Sequence, residues 1–198
     1  MKPLAPLDEN TVHVVVDMQR LFAEDTGWQV PTIGEIVPNL RRLIDHRPER
    51  ALYTRFVTPR NAAAAHGVWQ SYYRGYPQVT LDRISPALFD LIEPLAGLAP
   101  KTAQIDKKGF SSFSAPDFAT ALDRLGAGTL VLTGVETDVC VFATALEAVE
   151  RGHRVVIATD AVTGSSQSGH RAALDHVLPR YEYLIDLAPT SDIIAAWR

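Results

Sequence analysis

Short, almost wholly apolar runs alternate along this chain with amphipathic stretches of helical period, and that alternation restricts the fold more than any other feature. Thr11 to Val16 (T-V-H-V-V-V) and Thr129 to Thr133 (T-L-V-L-T) are too short for core helices. They suit strands buried on both faces, as a parallel sheet requires. Between them, Ile36, Val37, Leu40, Leu43 and Ile44 form one apolar face of a helix over Ile33 to His46, which Pro38 should kink or delay. Further strands are expected at Arg50 to Val57, Gln104 to Lys107, Arg154 to Thr159 and Tyr183 to Asp186. Further helices are expected at Ser85 to Leu95, from Ser114 to about Leu125, at His170 to Leu178 and at the C-terminal end near Trp197. Strand–helix alternation implies βαβ units with right-handed crossovers. The expected fold is a three-layer α/β/α, doubly wound, mainly parallel six-stranded sheet, formed by residues 1–198 as one domain.

In such a sheet, ligands bind beyond the carboxyl ends of the strands. Three polar groups far apart in sequence fall at those ends: Asp17 after the first strand, Lys107 at the third and Cys140 just after the fourth. Gly134 follows the fourth strand, and Thr137 and Asp138 supply a capping hydroxyl and a first-turn carboxylate for a helix that Gly152 stops. Cys140, the single cysteine of the chain, therefore stands in the first turn of a helix. Backbone N–H groups there stabilise a thiolate or an oxyanion. A lone cysteine is also commonly a small buried hydrophobe, and an aspartate in the place of Asp17 commonly holds a loop, so each residue carries two readings. His13, inside the first strand without a second ligand nearby, reads as a core histidine.

The remaining features exclude classes of function. A net charge of −4 over 198 residues gives no electrostatic footprint for nucleic acid or an anionic membrane. No apolar run has the length of a membrane span. M-K-P-L-A-P-L-D-E-N lacks the apolar core of a secretory signal, and one cysteine suits a reducing compartment, so a cytoplasmic location is expected. No G-x-G-x-x-G follows the first strand, which argues against a dinucleotide site. The segment from Thr58 to Thr80 carries Trp69, Tyr72, Tyr73 and Tyr76; it reads either as a pocket wall or as an interface between copies.

V-V-V-D-M-Q at 14–19, D-K-K-G-F-S-S-F at 106–113, G-V-E-T-D-V-C-V at 134–141 and T-D-A at 159–161 follow one another on these elements. In that order they resemble the isochorismatase-like cysteine hydrolases, a family that includes nicotinamidases, N-carbamoylsarcosine amidase and ureidoacrylate amidase. The resemblance implies a catalytic triad of Asp17, Lys107 and Cys140. It further implies a cis peptide between Val135 and Glu136 and an oxyanion hole formed by the Glu136 and Cys140 N–H groups, and it implies a homo-oligomer, dimer or tetramer. In that scheme Asp17 takes the thiol proton, while Lys107 and the helix start favour the thiolate. Gln19, Phe22, Arg55 and Trp69 stand as candidate substrate contacts, with Arg55, Arg60 and Trp69 suited to a carboxylate and a small planar group. Nicotinamidases build a metal site on an Asp-x-His with further His after the second strand; here that region reads T-R-F-V-T-P-R-N, so no metal and no other cofactor is expected. The function expected is hydrolysis of a C–N bond in a small amide or N-carbamoyl compound through a cysteine thioester. Its rivals are vinyl-ether hydrolysis of the isochorismatase type and a non-catalytic relative that binds a ligand or partner.

Overall fold

The computed structural model describes residues 4–198; the first three residues of the N-terminal stretch weighed above as a signal lie outside it. Six strands, β1 (Thr11–Val16), β2 (Ala51–Phe56), β3 (Gln104–Lys107), β4 (Thr129–Val135), β5 (Arg154–Thr163) and β6 (Ile185–Ala188), pair in parallel. They form one sheet in the order β3-β2-β1-β4-β5-β6. Every residue of β1 and β4 is buried, as their unbroken apolar runs demand at the centre of such a sheet.

The helices are α1 (Arg20–Ala23), α2 (Ile33–His46), α3 (Trp69–Gly75), α4 (Pro116–Arg124), α5 (Phe142–Glu150), α6 (Gln167–Ala172) and α7 (Thr190–Ala196). The crossover from β1 to β2 through α2 and that from β4 to β5 through α5 run in opposite directions across the sheet. Right-handed crossovers therefore set α2 and α5 on opposite faces, which completes three layers. The direction of winding reverses between β1 and β4, and a crevice opens at the carboxyl ends of those two strands. Among the described residues no helix is long and apolar enough to cross a membrane.

Several local expectations give way to longer-range contacts. Pro38 does not delay α2, which starts at Ile33 and runs through it at the loss of the bond to Gly34 O. The helix expected over Ser85 to Leu95 is reduced to a 3-10 turn at Pro86–Phe89. Residues 90–92 are drawn out instead to the segment after β1, where Asp90 O accepts from Arg20 N–H and Ile92 N–H donates to Met18 O, at 2.9 and 3.0 Å. Ser114 does not cap α4; its hydroxyl accepts from Gly109 N–H at 3.0 Å and folds the loop after β3 back on itself. β5 runs past Asp160 to Thr163 because a register shift between Leu132 and Gly134 lets it continue beside β4. Asp160 then serves α7: its Oδ1 accepts from both the N–H and the hydroxyl of Thr190, at 2.8 Å each.

Candidate active site

Parallel register brings the strand ends level: Val16 lies beside Thr54 and Gly134, and Phe56 beside Lys107. Gly134 has φ 101°, and a Cβ there would stand 2.1 Å from Val16 O, so only glycine lets β4 approach β1 this closely. Asp17 leaves β1 with φ 52°, in the left-handed region that Asp tolerates better than most residues. That turn keeps its carboxylate at the mouth of the crevice.

Thr54 Oγ1 donates to Asp17 Oδ1 at 2.9 Å, and Lys107 Nζ stands 2.8 Å from Asp17 Oδ2. The ammonium aims its own hydrogen bonds at the carbonyl oxygens of Gly109 and Phe110, at 3.0 and 2.8 Å, and lies 4.6 Å from the centre of the Phe56 ring. Asp17 Oδ2 is thus ion-paired but receives no aligned hydrogen bond, and it keeps a lone pair for another proton. The Cys140 thiol is close enough to both Asp17 and Lys107 for each to act on its proton. Burial drives the Lys107 pKa down, but Asp17 and Cys140 outweigh it and the net shift is upward, so the ammonium is retained. Burial, with Asp17 adding to it, pushes the Cys140 thiol far above its ordinary range despite Lys107. Lys107 thus favours the thiolate, as expected, but burial outweighs it and the balance keeps the proton on sulfur.

Cys140 is carried by a π-helical turn, Thr137–Val141, that feeds α5. Thr137 does not cap that turn. Its hydroxyl pairs with His170 Nδ1 at 2.8 Å, tying the turn to α6. The Val135–Glu136 peptide at its entrance is cis. On the other side Ser112 N–H donates to Thr144 Oγ1 at 2.9 Å, fixing the loop after Lys107 to α5.

A cavity of about 240 Å³ opens over Cys140, walled by Phe22, Trp28, Phe56, Tyr72, Tyr76 and Phe110. Of the sequence candidates for substrate contact, Phe22 lines it. Gln19 does not: its amide is spent inside the protein, Nε2 donating to Phe56 O and Phe89 O at 3.1 and 3.0 Å and Oε1 accepting from Phe56 N–H at 2.6 Å. Arg55 faces the other side of β2, where it pairs with Asp106 at 2.7 Å and lines a separate cleft of about 1090 Å³. Side chains alternate along a strand, so with Thr54 and Phe56 turned to the site Arg55 is turned away from it. Trp69 packs behind the wall against Phe110, ring centres 4.9 Å apart, and Arg60 pairs with Asp82 beyond it. Tyr72 and Tyr76 line the cavity too, which settles for them the choice between pocket wall and interface; Trp28 and Phe110 also wall it, although neither was among the candidate substrate contacts. His13 is a core histidine: its Nε2 lies 2.9 Å from Thr133 Oγ1, and complete burial lowers its pKa to about 3. Among the described residues no three His, Cys, Asp or Glu side chains cluster as a metal site.

The family model of the isochorismatase domain matches residues 11–189. The chain is 26% identical over 172 residues to the uncharacterised isochorismatase family protein YwoC of Bacillus subtilis, with 87% of each chain covered. It is 27% identical over 176 residues to Nicotinamidase 3 of Arabidopsis thaliana, covering 87% of this chain and 83% of that relative. The crystal structure of a cysteine hydrolase from Pseudomonas syringae pv. phaseolicola shares the fold, with a TM-score of 0.81 at 22% identity over 98% of this chain and 95% of that one. Strand order, the crevice at the β1–β4 reversal and a family model spanning nearly the whole length agree, and the chain belongs to the isochorismatase family of hydrolases.

Proposed function

We propose that this hydrolase cleaves a C–N bond of a small amide or N-carbamoyl compound through a thioester on Cys140. The observation that carries the reading is the convergence of Cys140, which lines a small cavity, with the fully buried Asp17–Lys107 pair. A carbonyl carbon seated above the sulfur is attacked as Asp17 Oδ2 takes the thiol proton. Because the thiol is neutral at rest, S–C bond formation and proton transfer proceed together. The oxyanion is held by the N–H groups of Glu136 and Cys140. Asp17 then passes the proton to the leaving nitrogen, ammonia or an amine departs, and the acyl group remains on sulfur. Water, deprotonated by Asp17, attacks the thioester; the acid leaves and the proton returns to the thiol. Lys107 stays protonated throughout and compensates whichever of Asp17 or the oxyanion bears the negative charge. Every group this route uses belongs to the chain. Its partners are a small-molecule substrate and, following the resemblance, further copies of the chain.

The test is ammonia release from a panel of small carboxamides and N-carbamoyl compounds, with wild type beside Cys140→Ala and intact-mass detection of an acylated wild-type protein. Release that vanishes in the variant, with an acyl adduct on Cys140, is the expected result. Release that survives the substitution overturns the thioester route, and vinyl-ether cleavage surviving it would favour the isochorismatase-type rival.

A further inference from the structure

The cavity over Cys140 is lined by the aromatic residues Phe22, Trp28, Phe56, Tyr72, Tyr76 and Phe110, by the polar Gln29 and Ser165 and by one carboxylate, Glu136, and none of the residues that line it is Lys, Arg or His. Phe22 stacks on Trp28 with ring centres 6.1 Å apart, Trp28 lies 6.0 Å from Tyr72 and 6.1 Å from Tyr76, and Tyr72 and Tyr76 are 4.9 Å apart. Aromatic faces carry partial negative charge and attract alkylammonium groups. Glu136 lines the same cavity. Its Oε2 accepts from the N–H and hydroxyl of Ser165, whereas Oε1 accepts no hydrogen bond from the described residues. Lys107, the cation nearest Cys140, is 1% exposed and already paired with Asp17, so it offers an incoming anion nothing. A carboxylate entering this space would lose its hydration, meet Glu136 and find no counter-charge.

We infer that the substrate carries an alkylammonium group, primary to quaternary, at the end remote from the scissile carbonyl, held by the Trp28–Tyr72–Tyr76 rings and the free oxygen of Glu136. The inference rests on the hydrolytic reading for which bond is cut, but on the cavity alone for charge. Size agrees: about 240 Å³ holds about eight water volumes of ~30 Å³ each, enough for a carboxamide joined by one methylene to a trimethylammonium.

Three ligands with a common carboxamide separate charge from shape: trimethylammonioacetamide, its neutral isostere 3,3-dimethylbutanamide, and the anion malonamate. They are titrated into the Cys140→Ala protein at physiological salt, following tryptophan fluorescence. The cation is expected to bind at least tenfold more tightly than the isostere, and malonamate not to saturate. Glu136→Gln and, separately, Tyr76→Leu in the same background should each shrink the cation's advantage severalfold. Equal Kd values for cation and isostere, tighter binding of malonamate, or no binding of the cation at millimolar concentration would each overturn the inference. Wild-type hydrolysis of the three reports on the other reading separately. Cation-selective binding without cleavage counts against the thioester route and leaves the charge preference standing, whereas cleavage without selectivity does the reverse.

Discussion

Lys107 Nζ and Asp17 Oδ2 stand 2.8 Å apart with neither side chain exposed to solvent. A pair sealed in this way is held by mutual need: each charge is tolerable only because the other is present. Lys107→Met is expected to cost ~3–5 kcal/mol in urea unfolding, since it strands the Asp17 carboxylate. Asp17→Asn together with Lys107→Met should recover most of that loss, while Asp17→Asn alone lowers turnover by about 10²–10⁴-fold. A double variant no more stable than Lys107→Met would show that the pair is not what holds this part of the crevice.

Cys140 should titrate late. Burial raises its pKa, so alkylation by iodoacetamide should still be accelerating above pH 9, where an ordinary thiol near 8.5 has levelled off. The same shift has a stability consequence. Above the unfolded-state pKa the unfolded chain has lost the thiol proton and the folded chain has kept it, so stability falls as pH rises. Cys140→Ala should flatten that alkaline decline, measured as urea midpoints from pH 8 to 10. An alkylation profile that levels near pH 7 would indicate a resting thiolate.

Acid acts through His13. Its pKa is lowered to about 3 by burial, so it contributes stability above the unfolded value of about 6.5 that is lost as pH falls toward 3. Between pH 7 and pH 5 the expected loss from this residue is ~2 kcal/mol, at ~1.4 kcal/mol per pH unit below 6.5. His13→Gln, which retains a polar partner for Thr133, should remove that part of the slope. Parallel pH profiles for the two proteins would mean that the acid sensitivity arises elsewhere.

Gly134→Ala is expected to prevent recovery of a native fold or to cost several kcal/mol, because the new Cβ would fall 2.1 Å from Val16 O at a backbone φ of 101°. Gly152→Ala is the control. Its φ of 87° is also positive, but nothing lies within 4 Å of the added atom, so the cost should be confined to backbone strain of ~1–3 kcal/mol. Similar thermal midpoints for the two variants would refute the close-approach argument.

Strand positions, the parallel sheet and the three groups at its carboxyl edge were legible because each rests on a local pattern: an apolar run, a period, a residue type at a strand end. β1, α2 and β3 fall where those patterns put them. What escaped was decided by partners distant in sequence. Residues 90–92 look helical after Pro86 but are taken up by the segment at 18–20. Thr137 and Ser114 have the chemistry of caps and are engaged by His170 and Gly109 instead. Gln19 and Arg55 were legible as polar residues near the site, but not as spent, because the groups they bond lie on other elements. The state of the thiol was hidden for a related reason: the bare residue list gives charges, whereas burial, which dominates the Cys140 shift, belongs to the assembled fold.

Asp17 has a left-handed backbone and the carboxylate that meets the thiol, and these are two separate demands on one residue. Glutamate would keep the acid but sit poorly at φ 52°, glycine would suit the backbone but bring no acid, and asparagine would hold the shape while losing the charge. No single replacement satisfies both, so on the mechanism proposed above this position has no neighbouring sequence through which the activity can drift. Under the proposed mechanism a descendant that abandons the reaction can pass through asparagine and keep the fold, and Asn at position 17 in an otherwise intact chain is then the expected mark of such a lineage.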